Sequence, residues 1–268
     1  MKKYVNLFVF VFMIGVCFSQ GKAQTKSAMS YKNPVVDIAM PDPTVIKAAD
    51  GYFYVYATES TRNVPIMKSK DLVEWTYCNT AFTNKTRPRF EPKAGIWAPD
   101  INYISGKYVL YYAMSVWGGE QTCGIGVATA DSPQGPFTDH GKMFRSNEIG
   151  VQNSIDPSLL QYEGRNYLVW GSFRGIYVIE LTADGLSLMP GAEKKKIAGT
   201  AFEAAYVHKH DGYYYMFASI GSCCRGVEST YKVVVGRSKK VWGPYKDKTG
   251  KPMLKNGYSL VIGANDHF

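Results

Sequence analysis

Cysteine is scarce in this chain of 268 residues, and the few that occur do not outline a scaffold. Four lie beyond the N-terminal region, at Cys78, Cys123, Cys223 and Cys224. Their spacing is not that of a disulfide framework, and the adjacent pair lacks the CxxC spacing of a zinc site. We therefore expect buried free thiols, with a strained vicinal disulfide between Cys223 and Cys224 as the alternative.

Long apolar runs are also lacking, apart from one at the N-terminus, MKKYVNLFVFVFMIGVCFSQGKAQ. Two lysines precede it and small residues follow it, which is typical of a signal peptide cleaved after Ala23. Lipidation at Cys17 is a less favoured alternative. No later run is long enough to cross a bilayer. Residues 1–23 are thus predicted to be a signal peptide, and residues 24–268 an exported domain, periplasmic or secreted, without a membrane span.

A strong excess of charge of one sign is absent. The formal net charge of +9 becomes +6 when the three lysines of the leader are left out, and the remaining basic residues are scattered. One lysine run, residues 194–196, is interpreted as a solvated loop. An acidic polysaccharide could still be attracted to such a surface. Nucleic acid is not an expected partner, because no binding motif is present. A monomer is expected.

Helical periodicity is nearly absent, and four similar segments occur instead. Each reads as an acidic residue, a short strand, a turn with Gly, and a strand rich in Tyr, Val and Phe that ends in small residues. Their acids are Asp42, Asp100, Asp156 and Glu203, at separations of 58, 56 and 47 residues. This spacing suits a unit of four short strands. The alternative is that each acid only begins a turn.

The repeat predicts an all-β propeller, in which equivalent residues of successive blades converge on one axis. The four acids would then surround one pocket, whereas a sandwich would scatter them. The length accommodates four blades and the start of a fifth, with the chain reaching its last residues at GYSLVIGANDHF. We therefore expect a C-terminally truncated five-bladed propeller, with a closed four-bladed ring as the alternative.

Several motifs follow one another at blade spacing: PDPTVI, WAPDI, SIDPSLL, GSF and CCRGVESTYKVVVGRS. From about Pro34 to the end, the chain resembles glycoside hydrolase family 43, and within it the arabinan-degrading members. The resemblance implies a five-bladed propeller that hydrolyses α-1,5-linked L-arabinofuranosyl bonds with inversion. Arabinan is a side chain of plant cell-wall pectin.

The same resemblance implies three catalytic carboxyl groups. Asp42 would be the general base, Glu203 the general acid, and Asp156 the group that orients the acid and tunes its pKa. The acid must be protonated to donate to the leaving oxygen, while the base must be ionised to activate water. An inverting pair stands about 6.5–9.5 Å apart to admit that water. A carboxylate such as Asp156 beside Glu203 would raise the pKa of the acid. Asp100 is expected to have a supporting role.

Substrate binding is implied for four further residues: Trp97, Asn153, Ser172 and Phe173. Core packing is the alternative for the two aromatic ones. Many relatives are expected to have Trp after GSF, where this chain has Arg174. That departure leaves endo and exo cleavage open.

A metal ion near the axis, often calcium, is a further implication of the resemblance, with a His of the fifth blade as its nearest protein group. The expected Gly-His-Asn segment does not occur here, and His267 is not assigned to that place. No metal ligand is therefore predicted within the chain, and no cofactor is expected for the chemistry. His140, His208 and His210 are expected to face solvent, the last two in a turn.

Three alternatives to an endo-acting hydrolase stay open. Two are enzymes on the same scaffold, an exo-acting α-L-arabinofuranosidase and a β-xylosidase. The third is a sugar-binding propeller without catalytic activity, which would keep aromatic residues but need no acid and base.

Overall fold

The computed structural model describes residues 30–263. The chain divides into two units, Met1–Lys32 and Asn33–Phe268, and the second contains every element described below. The predicted signal peptide, Cys17 and His267 lie outside the described residues. Within the part of the chain that is described, no helix is long and apolar enough to cross a bilayer.

Four antiparallel sheets of four strands follow one another along the chain, and each sheet is built in sequence order. The first contains β1 (Thr44–Lys47), β2 (Phe53–Tyr56), β3 (Pro65–Ser69) and β4 (Trp75–Thr80). The second contains β5 (Gly95–Ile104), β6 (Lys107–Ser115), β7 (Gly124–Ala130) and β8 (Thr138–Arg145). The third contains β9 (Ser158–Tyr162), β10 (Arg165–Trp170), β11 (Ile176–Glu180) and β12 (Lys195–Ala198). The fourth contains β13 (Glu203–His210), β14 (Tyr213–Ile220), β15 (Lys232–Ser238) and β16 (Ser259–Ile262).

Helix is confined to three short pieces of the described residues. One is an α-helical turn, α1 (Ser146–Ile149), and two are 3₁₀ turns, Gly226–Glu228 and Met253–Lys255. The predicted all-β architecture with four propeller blades is confirmed.

The core lies between successive blades. Strand β6, KYVLYYAMS, is buried along both faces. Tyr112 packs with Tyr56 and Ile66 of the first blade, whereas Tyr111 packs with Trp170 of the third. Alternate side chains of a strand point to opposite faces of its sheet. A central strand covered on both faces therefore reads as a nearly continuous apolar run, which explains the Tyr-rich and Val-rich segments of the sequence.

Hydrogen bonds also join the innermost strands of neighbouring blades. The Thr44 hydroxyl and the Leu159 backbone N–H both donate to the Asp100 carboxyl, which links the first, second and third blades. Ser158 Oγ donates to the Ala205 carbonyl at 2.6 Å, which links the third blade to the fourth. The supporting role expected for Asp100 agrees with these contacts.

Asp100 should make the stability of the fold depend on pH. Burial of its carboxyl group raises the pKa to about 6, although hydrogen bonds from Asn102, Leu159 and Thr44 oppose this. Between about pH 4 and pH 6 the folded chain holds a proton that the unfolded chain has released, so the free energy of unfolding falls as pH rises. Asp100→Asn should remove this component and make the protein more stable at pH 7. Urea unfolding at several pH values measures it, with Asp131→Asn, an exposed site, as the control. An unchanged pH dependence in Asp100→Asn would contradict the assignment.

A backbone bulge occurs in all four blades, two residues before the innermost strand begins its regular pairing with the second strand. A residue with a left-handed backbone conformation, φ 40–57°, is followed by one more unpaired residue, and pairing then resumes with the second strand of the blade. The four left-handed residues are Asp42, Ala98, Asp156 and Ala204. Such a bulge bends the strand and directs its side chains at a defined place.

The prediction that the four acidic residues occupy one equivalent position of the repeat is wrong when the positions are counted from this bulge. Asp42 and Asp156 do occupy the same position of the repeat, but Glu203 lies one residue before it and Asp100 two residues after it. The physical reason is that the backbone bulge repeats, whereas the acidic residue does not. Alanine occupies the equivalent position in the second and fourth blades.

The prediction that the last residues, GYSLVIGANDHF, begin a fifth blade is also wrong for the part that the structure describes. Residues 259–262 form β16, which pairs with β15 through Val235 and Ser259 and through Val233 and Ile262. The long connection after β15 hides this pairing in the sequence. The described residues therefore contain four blades, and a fifth is not among them.

Two segments predicted to be a turn and a loop contain strand residues in the structure. His208 and His210 are exposed as expected, but they lie on β13 and not in a turn. The lysine run 194–196 is exposed as expected, but its last two residues begin β12. His140 is exposed on β8.

Candidate active site

Glu203 begins β13 and is almost fully enclosed, with 9% of its surface exposed. Ser172 Oγ donates a hydrogen bond to its Oε2 at 2.7 Å, and the Tyr231 hydroxyl donates a second one. Burial raises the pKa of Glu203, and the charge of Asp42 adds to the increase, while the two hydroxyl groups oppose it. The site thus favours the protonated form of this carboxyl group.

Asp156 lies within electrostatic range of both other carboxyl groups. Burial raises its pKa well above the usual value, and the charges of Glu203 and Asp42 raise it further. The backbone N–H of Ala204 donates to its carboxylate and acts in the opposite direction. Three acidic groups from three blades are therefore brought together, as the sequence repeat and the family resemblance predict.

Asp42 differs from the other two because its residue is exposed. Thr58 Oγ1 donates to its Oδ2 at 2.5 Å, and the same hydroxyl accepts the Ala98 N–H at 2.7 Å. The flanking Pro41 and Pro43 restrict the backbone on either side. The carboxylate is thus held in a fixed direction while it remains open to water.

Asn153 and Ser172 form a hydrogen-bonded chain that ends at Glu203. Asn153 Nδ2 donates to Ser172 Oγ at 2.9 Å and to the Ser172 carbonyl at 3.2 Å. The Ser172 backbone forms an isolated bridge with Glu203. Substrate binding by both residues, which the resemblance implies, stays a prediction, and in this structure their contacts hold the buried carboxyl group.

Trp97 is half-buried against Ala113, Cys123 and Ile155, so packing accounts for part of its surface. Its ring lies 5.5 Å from that of Trp117, which is 79% exposed. The two tryptophans present an aromatic surface of the kind that sugar rings pack against.

Phe173 is half-buried, and its N–H donates to the Phe202 carbonyl at 2.9 Å. The next residue, Arg174, forms a bidentate ion pair with Glu120, in which Nε donates to Oε2 and Nη2 donates to Oε1, each at 3.0 Å. The Glu120 carbonyl in turn accepts the Asn153 N–H at 2.7 Å. The residue that departs from the expected Trp is therefore fixed beside the hydrogen-bonded chain.

Sequence reasoning missed Thr58, Trp117 and Tyr231. For Thr58 an indication was present, because each second strand ends in small residues. In the fold these residues face the position just before the bulge, and they are Thr58, Ala113, Gly171 and Ser219. Nothing in the pattern distinguished Tyr231 among the 20 tyrosines.

All four cysteines within residues 30–263 are free thiols, but the expected burial holds fully only for Cys123 among them, and Cys224 is exposed. Burial and the neighbouring Cys224 raise the pKa of the Cys223 thiol to about 12, and the charges of Glu203 and Asp42 contribute. Cys223 therefore lies near the carboxyl groups.

A metal site is not evident among the described residues. No group of three or more His, Cys, Asp or Glu side chains within residues 30–263 is arranged to hold an ion. The calcium ion that the resemblance implies stays a prediction, and no catalytic step below is assigned to a metal.

Comparison with known proteins identifies the family. The model of the family described as "Glycosyl hydrolases family 43" matches residues 31–266. The chain belongs to this family. As a family 43 protein, it is a glycosidase.

Similar members include two curated bacterial enzymes. The chain is 38% identical to "Extracellular endo-alpha-(1->5)-L-arabinanase 1" of Bacillus subtilis, with 85% of this chain and 73% of that protein covered. It is 34% identical to "Extracellular exo-alpha-(1->5)-L-arabinofuranosidase ArbA" of Cellvibrio japonicus, with 84% of this chain and 71% of that protein covered.

Among solved structures, that of Cellvibrio cellulosa alpha-L-arabinanase complexed with arabinohexaose matches with a TM-score of 0.76. The identity is 33%, and 84% of this chain and 79% of that one are covered.

Proposed function

We propose that this family 43 glycosidase hydrolyses α-1,5-linked L-arabinofuranosyl bonds in arabinan, within the polymer and with inversion at the anomeric carbon. The observation that carries the proposal is the contrast between Glu203, enclosed with a raised pKa, and Asp42, exposed and held by Thr58. Relatives named as arabinanases support the choice of substrate.

In the proposed reaction Glu203 donates its proton to the leaving glycosidic oxygen as the bond to the anomeric carbon breaks. Asp42 takes a proton from the water that attacks that carbon from the opposite face. Asp156 and Glu203 each disfavour the ionised form of the other, and Asp156 is assigned the role of orienting Glu203 and tuning its pKa. Ser172 and Asn153 hold the acid in position. Trp97, Phe173 and Trp117 would contact the sugar rings.

Asp156→Asn should move the alkaline limb of the kcat/KM profile to lower pH. The two carboxyl groups disfavour each other's ionisation, so with Asp156 replaced by a neutral amide Glu203 loses its proton more readily, and fewer molecules have a protonated acid at neutral pH. We expect kcat at neutral pH to fall by about tenfold or more. The exposed Asp37→Asn serves as the control, with an unchanged profile. An alkaline limb that stays in place would argue against this role of Asp156.

The experiment that tests the function is incubation with linear and branched arabinan. Product sizes show the mode of cleavage, and NMR of the first products shows their anomeric configuration. Internal oligosaccharides with inverted configuration support the proposal. Retained configuration would overturn the mechanism, and no release from arabinan would overturn the substrate.

Exo cleavage is the second candidate. The Arg174–Glu120 ion pair beside Asn153 could block one end of the substrate path, and one relative is named as an exo enzyme. Release of short products alone, without a rapid decrease in polymer length, would favour it. A parallel incubation with xylan and a binding measurement distinguish the other two alternatives. A β-xylosidase would give release from xylan only, and a sugar-binding propeller would bind arabinan without release.

A fifth blade between the first and fourth is part of the proposal. On the face of the first sheet away from the second blade, Val45, Val55, Met67 and Tyr77 form one cross-strand row, and the two end residues are 48% exposed. In the fourth sheet Tyr206, Phe217 and Val235 form a comparable row. Covering both rows would bury apolar surface, which supports a further blade. An increase in the free energy of unfolding for a C-terminally extended chain would test it.

We further propose export and a monomeric state. Two relatives named as extracellular support export. N-terminal sequencing of the exported protein tests cleavage after Ala23, and light scattering tests the monomer.

A further inference from the structure

A cavity of about 370 Å³ lies between the first two blades, in the connections that lead to Thr58 and Trp97. Its volume is within the range of ligand pockets, about 300–1,000 Å³. Pro88, Ala94 and Met114 contribute buried apolar or small surface, and Arg62, Arg89 and Lys93 form an exposed basic rim. The catalytic proposal uses none of these residues.

The basic rim has no carboxylate of its own. Each acidic group at the cavity already has an arginine partner, because Glu59 pairs with the buried Arg87, and Glu91 pairs with Arg145. Among the described residues, Arg62, Arg89 and Lys93 make no ion pair. Three positive charges are therefore left uncompensated around one opening.

Two of these charges are held in place by one residue. Arg62 Nε donates to Asn84 Oδ1 at 3.1 Å, and Arg89 Nη2 donates to the Asn84 carbonyl at 3.0 Å. Both guanidinium groups keep further N–H donors free for a ligand. An arginine whose fork is already oriented binds a carboxylate with less loss of conformational freedom.

A buried acceptor lines the same cavity. Glu91 Oε2 lies 2.9 Å from Arg145 Nη1, yet it has no hydrogen-bond partner of suitable geometry. This oxygen is fully enclosed, so Glu91 and Arg145 form part of the cavity wall and the basic rim remains the part that a ligand can reach. Basic groups for a carboxylate beside an apolar wall for a ring match a sugar acid better than a simple anion.

We propose that this cavity binds a uronic acid residue of an acidic polysaccharide. The Glu59–Arg87 pair connects the cavity to the site, since Glu59 follows Thr58, whose hydroxyl holds Asp42. The biological ligand rests on the proposed function: arabinan is neutral, but the pectin main chain that carries it contains uronic acids. Binding there would keep the enzyme beside its substrate.

Trigalacturonic acid is the probe, titrated calorimetrically into the wild-type protein, with neutral galactotriose and inorganic sulfate as comparisons. A variant with Arg62→Met, Arg89→Met and Lys93→Met should bind trigalacturonic acid about tenfold more weakly or worse, because three charge-assisted contacts are lost. Lys85→Met, an exposed change in the same connection but outside the cavity lining, should bind as the wild type does. Lys93→Glu is the second variant, at an exposed side chain without a partner, and should also weaken binding.

Equal affinity of the wild type and the triple variant would overturn the inference, as would binding of sulfate as tight as that of trigalacturonic acid. Hydrolysis of neutral linear arabinan should be the same in all four proteins. If arabinan is hydrolysed but the probe does not bind, this inference alone fails. If the probe binds through the three basic residues but arabinan is not hydrolysed, the proposed function fails and the binding site stands.

Discussion

Asp42→Asn should lower kcat on arabinan by about 10²–10⁴-fold with little change in KM, because the attacking water loses its general base. Asparagine is the appropriate replacement at this position. The residue has φ 50°, a conformation that Asn and Asp adopt more readily than other residues with a side chain. The amide oxygen can also accept the hydrogen bond from Thr58. A loss of rate therefore reports the loss of the base and not a disturbed backbone.

Steady-state kinetics on linear arabinan measure this effect, and Asp37→Asn, at an exposed residue, is the matched control. A second variant, Asp42→Gly, keeps the left-handed backbone and leaves space beside the anomeric carbon. Added azide should restore turnover in this variant and give a glycosyl azide of inverted configuration. A variant Asp42→Asn with wild-type kcat would remove Asp42 from the mechanism.

Glu203→Gln should abolish most activity on arabinan, by about 10²–10⁴-fold, while sparing substrates with a good leaving group. An arabinosyl oxygen needs a proton as it departs, whereas a dinitrophenolate does not. The amide is nearly isosteric and can still accept the hydrogen bond from Ser172 Oγ. The general acid is therefore removed while the surrounding structure is kept.

The decisive measurement compares kcat on arabinan with kcat on a dinitrophenyl arabinofuranoside. The ratio should change by two orders of magnitude or more, about the full contribution of an acid. Glu193→Gln, at an exposed residue, should leave both rates unchanged. An equal loss on both substrates would indicate that Glu203 supports the structure and does not donate the proton.

Much of the fold was predictable from the sequence, because its evidence is local and repeated. Strands buried on both faces need Tyr, Val and Phe, and the turns between them need Gly, so each blade shows its own pattern. The last strand was not predictable in the same way. Residues 259–262 pair with β15 only after a long connection, and four residues with no repeat partner carry little periodicity.

The acidic residues of the candidate site were predictable from the sequence, whereas the residues that hold them by hydrogen bonds were not, because strand register places those partners. Asp42, Asp156 and Glu203 come together as expected, but the supposed common position of the repeat is shared only by the first two. Thr58 and Tyr231 contact the carboxyl groups through the pairing of neighbouring strands. Their importance arises from strand register, and one isolated hydroxyl group in a sequence does not reveal register.

The bulge repeated in four blades has a consequence for redesign. The same left-handed turn presents a side chain from each blade, yet two of the four places have alanine, at Ala98 and Ala204. Alanine tolerates this backbone less well than Asp or Asn does. New functional groups can therefore be installed at these two places by one codon change each, without remodelling the main chain. The propeller therefore offers two positions, Ala98 and Ala204, whose backbone conformation already suits a polar side chain such as Asp or Asn.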